Sequence, residues 1–128
     1  MTVDAEGVPP GLRTWFVVHF AADLAVALPL FIAPKAFLGA LGWSCVDPIA
    51  TRLVAAALAG IGIQSLLGRN EGRTTYRAML TLKVIWSACA SLGILISQLE
   101  GGPPVGWALF ATFAAFNALW VRYRWALR

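Results

Sequence analysis

Four long apolar runs are the feature that most constrains how this chain can fold. They cover residues 15–33, 49–67, 78–99 and 105–121, and each is 17 to 22 residues long. About 20 apolar residues in a helix cross the hydrocarbon core of a bilayer. Because backbone N–H and C=O groups in lipid need partners within their own segment, each run is predicted to be a transmembrane helix.

Composition favours this prediction over its main alternative, a water-soluble helical bundle. The chain is 59% hydrophobic and 12% charged, whereas globular domains are about 45–50% apolar and about 25% charged. None of the runs has the charged outer face that a soluble helix needs. We therefore expect an all-α integral membrane protein, built as a four-helix bundle with short connecting loops.

Turn residues set the expected boundaries of the helices. "SCVDP" precedes the second run, where Asp47 is a candidate N-terminal cap, and "GRNEGR" and "EGGPP" flank the third run. The chain is predicted to be a single domain, residues 1–128, with helices at about 15–33, 49–67, 76–99 and 105–122. Residues 35–46 are too short to span, and they are expected either to lie along the membrane surface or to form a structured loop.

Basic residues predict the orientation. Seven of the ten Lys and Arg residues fall at the N-terminus, in the loop between the second and third runs, and at the C-terminus. Only Lys35 and Arg52 lie on the other side. Cytoplasmic loops carry the excess of basic residues, so both termini are expected in the cytoplasm of a multi-pass protein of the inner (cytoplasmic) membrane. The net charge of +4 is mostly this orientation signal, and no nucleic-acid partner is expected.

Two charged residues interrupt the apolar runs. Asp23 is eight residues into the first run and Lys83 is eight residues past Thr75 in the third, so with this orientation both lie about 12 Å deep. A charge that faces lipid at that depth costs about 2.5–3.5 kcal/mol. The sequence therefore predicts that Asp23 pairs with Lys83 inside the bundle. His19 lies one helical turn before Asp23, on the same face.

Other polar residues fall in the same predicted cytoplasmic half of the bundle. Together they predict a ligand-binding pocket lined by His19, Asp23, Gln64, Lys83, Ser87 and Asn117. On the third helix, a polar stripe runs through Tyr76, Lys83, Ser87, Ser91 and Gln98 at helical spacing. The alternative is that these groups only hold the helices together, by interhelical hydrogen bonds worth about 0.6 kcal/mol each on average.

The functional hypothesis is a small membrane protein that binds or transports a small amphiphilic or cationic ligand. Asp23 would be the charge centre, Lys83 its partner or gate, and His19 would tune protonation. One alternative is a non-catalytic accessory or scaffold subunit of a larger membrane complex, and a membrane-embedded enzyme is a further one. The expected partners are membrane lipid, the ligand, and either other copies of the chain or other subunits. The closing "WVRYRWALR" is predicted to anchor the chain at the interface, where its basic residues also attract anionic headgroups.

The sequence contains no recognisable catalytic or cofactor motif. Cys45 and Cys89 are single and distant, and His19 is the one histidine, so neither a metal site nor bis-histidine haem ligation is predicted. The chain has no nucleophile elbow, P-loop or dinucleotide fingerprint. No cofactor, metal or catalytic residue is therefore expected, and the sequence favours a non-enzymatic role.

Overall fold

The architecture is all-helical, as predicted. A computed structural model describes residues 3–4 and 6–128. The chain forms α1 (Leu12–Ile32), α2 (Pro34–Ala40), α3 (Pro48–Leu67), a single 3₁₀ turn (Gly68–Asn70), α4 (Arg73–Leu99) and α5 (Val105–Ala126). Among the described residues, α1, α4, α5 and α3 with its 3₁₀ turn are long and apolar enough to cross a membrane. This is the composition of a four-helix membrane protein.

Three helix ends extend beyond the apolar runs. α1 begins at Leu12, α4 begins at Arg73, and α5 continues to Ala126. Each extension contains arginine. The long aliphatic stem of arginine lets a residue within a helix place its charged group at the membrane–water interface. The helical backbone therefore continues past the point where apolar composition alone predicts its end.

The predicted cap at Asp47 is confirmed. Its side chain accepts hydrogen bonds from the backbone N–H groups of Ile49, at 2.8 Å, and Ala50, at 3.2 Å. Pro48 follows at the first helical position, where a missing N–H costs nothing. The segment between α1 and α3 begins with the seven-residue helix α2 and continues without regular structure to Asp47. It is a structured connection, and its placement along a membrane surface stays a prediction.

The chain divides into two compact units, the first of which is residues 13–69. In this unit α1 and α3 are antiparallel neighbours. At one end Arg52 Nε donates to the Phe31 carbonyl, at 3.0 Å. At the other end Arg13 donates to the Arg69 carbonyl, at 2.7 Å. Midway, Gly62 lies so close to α1 that an added Cβ would be 2.8 Å from the Cβ of Asp23.

The second unit combines α4 and α5 with the N-terminal segment, and it covers residues 1–12 and 70–128. α4 and α5 form an antiparallel hairpin. At its turn, the buried Gln98 side chain donates to the Pro103 carbonyl, at 3.0 Å. At its open end, Arg73 donates to the Leu127 carbonyl, at 3.3 Å, and also to the Arg128 carbonyl.

The buried face of α4 coincides with the predicted polar stripe. The stripe residues Tyr76, Lys83, Ser87 and Gln98 are buried, and Ser91 is half-buried. Helical spacing places these residues on one side of the helix. The exposed side of α4 includes the apolar residues Leu82, Ile85, Leu92 and Ile96, which is the arrangement of a helix that faces lipid.

Candidate functional site

The residues predicted to bind ligand differ in burial. His19, Asp23, Lys83 and Ser87 are buried, Asn117 is half-buried, and Gln64 is exposed. On α3 the buried positions next to Gln64 are Gly62 and Ser65, so Gln64 lies on another part of the helix surface.

In the unit of residues 13–69, His19 and Asp23 form a buried pair on α1. Their Nδ1 and Oδ2 atoms are 2.9 Å apart, and each residue is 7% exposed. The contact becomes an ion pair when His19 is protonated. Asp23 Oδ2 accepts no hydrogen bond of standard geometry from the described residues. Its nearest basic group is the His19 imidazole, and the carboxylate oxygen keeps capacity to accept a further hydrogen bond.

Gly62 is the residue that allows α3 to approach this pair. A side chain there would meet the Cβ and Oδ2 atoms of Asp23 and the side chain of Leu24. Small residues at helix interfaces permit such close approach in membranes. The sequence reasoning did not single out Gly62. Its seven-residue spacing from the buried Ala55 is the signal that places both residues on one face of α3.

In the unit that contains α4 and α5, three further predicted residues come together. The α4–α5 polar cluster consists of Lys83, Ser87, Asn117 and Trp120. Asn117 Nδ2 donates to the Val84 carbonyl and to Ser87 Oγ, both at 2.9 Å. Ser87 Oγ donates in turn to the Lys83 carbonyl, at 2.6 Å. These bonds connect α5 to α4, and a ligand-binding role for Ser87 and Asn117 stays a prediction.

Lys83 is the buried charge of the α4–α5 polar cluster. It is 2% exposed, and its Nζ lies 5.1 Å from the centroid of the Trp120 ring. A cation at this distance over an indole face is stabilised by the ring quadrupole. The sequence reasoning did not assign Trp120 to the site, although its position one turn after Asn117 puts it on the same face of α5. The pairing of Lys83 with Asp23 stays a prediction from charge and depth.

Comparison of the chain with protein-family models finds no match, and comparisons with curated proteins and with solved structures find none either.

Proposed function

We propose that this multi-pass membrane protein binds a small amphiphilic cation, and that the carboxylate of Asp23 is the charge that the ligand meets. The observation that carries the proposal is an ionisable side chain, 7% exposed, in the middle of a membrane-spanning helix. Ionisable groups at that depth are costly, and they mark ligand or ion sites in membrane proteins.

The hydrogen bonding of Asp23 supports ligand binding over a purely structural role. Polar side chains that hold a fold together are usually satisfied by hydrogen bonds, as Ser87 and Asn117 are. Asp23 Oδ2 is buried and accepts no hydrogen bond from the described part of the chain. An unsatisfied buried acceptor costs about 1–3 kcal/mol, and a cationic ligand that donates a hydrogen bond would remove this cost.

The surroundings of Asp23 favour a ligand with an apolar body. On the α3 side the carboxylate faces Gly62, and Leu24 lies beside it. A compact inorganic cation would need several oxygen ligands, and no group of three or more potential metal-ligating residues lies among the described residues. An organic cation needs one carboxylate for its charge and apolar contacts for the rest, which suits this site.

Binding of ethidium, an amphiphilic cation, tests the proposal. The detergent-purified protein is titrated with ethidium, and fluorescence anisotropy gives the dissociation constant. Asp23→Asn preserves the side-chain shape and removes the charge. We expect it to weaken binding about tenfold or more, which corresponds to about 1.4 kcal/mol. Glu71→Gln is the matched control, because Glu71 is an exposed carboxylate outside the four long helices.

The control also defines the result that would overturn the proposal. If Glu71→Gln weakens ethidium binding as much as Asp23→Asn, the attraction reflects net charge and Asp23 is not the site. If the wild-type chain binds no ethidium at millimolar concentration while Asp23→Asn melts at the wild-type temperature, the ligand hypothesis is wrong. Stable copurification with other membrane subunits would then support the accessory-subunit alternative.

A further inference from the structure

A groove with three arginines opens between the first turns of α4 and the last turns of α5. Its volume is about 280 Å³, and it is lined by Arg77, Thr81, Val84, Ile85, Arg124, Trp125 and Arg128. All of these residues belong to one compact unit. None of them belongs to the His19–Asp23 pair or to the α4–α5 polar cluster, so the groove needs a separate explanation.

The charge of the groove is strongly positive. Among the described residues, none of those that line it is acidic. Within residues 3–4 and 6–128, no carboxylate side chain forms an ion pair with Arg77, Arg124 or Arg128. Three guanidinium groups around one small volume repel each other unless an anion lies between them. The groove is therefore complementary to an anionic group, and guanidinium forks match the geometry of a phosphate.

Two of the arginines are held in position by neighbouring side chains. Arg124 Nε donates to Thr81 Oγ1, at 2.9 Å, which leaves the other nitrogens of its guanidinium for a ligand. Thr81 Oγ1 donates to the Arg77 carbonyl, also at 2.9 Å. The guanidinium carbon of Arg128 lies 4.6 Å from the centroid of the Trp125 ring. Such preorganisation lowers the entropy lost on binding.

The other wall of the groove is apolar. Val84 and Ile85 lie about two turns deeper along α4 than Arg77, and the Trp125 ring contributes a broad apolar surface, 62% exposed. The positive charge at the helix ends matches the anionic headgroup of a phospholipid, and the apolar surface toward the membrane interior matches its acyl chains. Tryptophan and arginine at this level are typical of the interface where headgroups lie.

We infer that this groove binds one anionic phospholipid, with the headgroup phosphate between Arg77, Arg124 and Arg128 and an acyl chain along Val84, Ile85 and Trp125. The predicted orientation places the groove at the cytoplasmic leaflet, which carries anionic lipid. This inference does not depend on ligand binding at Asp23, because the two sites share no residue.

Native mass spectrometry of the full chain with added phosphatidylglycerol or phosphatidylcholine tests the inference. The wild-type chain is expected to retain one phosphatidylglycerol in preference to phosphatidylcholine. Arg77→Gln and Arg124→Gln should each weaken phosphatidylglycerol binding about fivefold, since one basic residue near a membrane surface contributes about that factor. Arg77 is included because its side chain makes no hydrogen bond with another described residue, so its substitution should leave the fold intact.

Arg122→Gln is the matched control. Arg122 is exposed on the same helix as Arg124, carries the same charge and does not line the groove. Its substitution should change binding less than about twofold, because the groove keeps all three arginines. Equal losses in the Arg122→Gln, Arg77→Gln and Arg124→Gln variants would show non-specific attraction and overturn the inference. So would the absence of a preference for phosphatidylglycerol over phosphatidylcholine.

Inorganic phosphate distinguishes a lipid site from a simple anion site. Phosphate shares the headgroup charge but lacks the acyl chains that Val84, Ile85 and Trp125 would contact. At millimolar concentration it should not displace phosphatidylglycerol, because apolar burial contributes about 0.8 kcal/mol, or close to fourfold, for each CH₂ group. Displacement by phosphate at that concentration would overturn the assignment of the groove to a lipid.

Discussion

Gly62 and Gly60 show how much the role of a residue depends on its neighbours. Both glycines lie on α3, two residues apart. A Cβ on Gly62 would collide with Asp23 and Leu24, whereas a Cβ on Gly60 would meet, among the described residues, no heavy atom within 4 Å beyond the adjacent backbone of its own helix. The first glycine is required for the close approach of α1 and α3, and the second is a helical position open to substitution.

Alanine substitution at these two glycines should have opposite effects. Gly62→Ala is expected to lower the free energy of unfolding by about 1–3 kcal/mol, because the added methyl group overpacks the contact with Asp23. Gly60→Ala should be neutral or stabilising by about 0.5–1 kcal/mol, because alanine loses less backbone entropy in a helix than glycine does. Circular dichroism during heating in detergent measures both variants. Equal shifts in melting temperature would contradict the close approach at Gly62.

The α4–α5 hairpin is joined at three levels. Gln98 fastens the turn, Asn117 connects the middle, and Arg73 connects the open end. The middle connection lies well inside two helices that are long and apolar enough to cross a membrane, where surrounding lipid would offer no competing hydrogen-bond partner. Asn117 uses both N–H groups of its amide there, one on the Val84 carbonyl and one on Ser87 Oγ.

Removal of the Asn117 amide should loosen the hairpin. Asn117→Leu keeps the branched shape and the number of side-chain heavy atoms and loses two hydrogen bonds, so we expect the free energy of unfolding to fall by about 1–2 kcal/mol. Thr112→Val is the control, because within the described part of the chain the Thr112 hydroxyl bonds only to the Ala108 carbonyl of its own helix, at 2.8 Å. Its effect should stay within about 0.5 kcal/mol. Unfolding by SDS titration measures both, and a loss at Thr112 as large as at Asn117 would refute the joining role.

For the molecule as a whole, four helices that each cross a membrane would place the residues before α1 and those after α5 on the same side. The distribution of basic residues then predicts that this side is the cytoplasm. The two cysteines offer a direct test, because both are free and exposed in the fold. Cys45 lies between α2 and α3, outside the long helices, and Cys89 lies midway along α4.

An impermeant maleimide applied to intact cells should label Cys45 and leave Cys89 unlabelled. The fold covers neither thiol. A difference in labelling between Cys45 and Cys89 would therefore show that the membrane shields α4 and that the α2–α3 connection faces the outside of the cell. The single-cysteine variants Cys45→Ser and Cys89→Ser identify the labelled site. Labelling of Cys45 only after the cells are opened would invert the orientation. Labelling of Cys89 in intact cells would exclude α4 from the membrane.

Sequence alone was sufficient for the number, type and approximate ends of the long helices. The length and apolarity of each run, and the turn residues at its ends, are local properties of the sequence. They do not depend on how the helices pack against each other. The same holds for the Asp47 cap, whose partners are two and three residues away. The polar stripe of α4 was also predictable, because burial of its polar residues follows from their cost in lipid.

Only the tertiary structure identified which residues each polar side chain contacts. Asn117 meets Val84 and Ser87, which are 33 and 30 residues away, and such contacts depend on how each helix is rotated about its own axis. In a soluble protein the polar face of a helix reveals that rotation. In a membrane both the inner and the lipid-facing sides are apolar, so sequence pattern did not distinguish Gly62 from Gly60 or place Gln64 on an exposed surface.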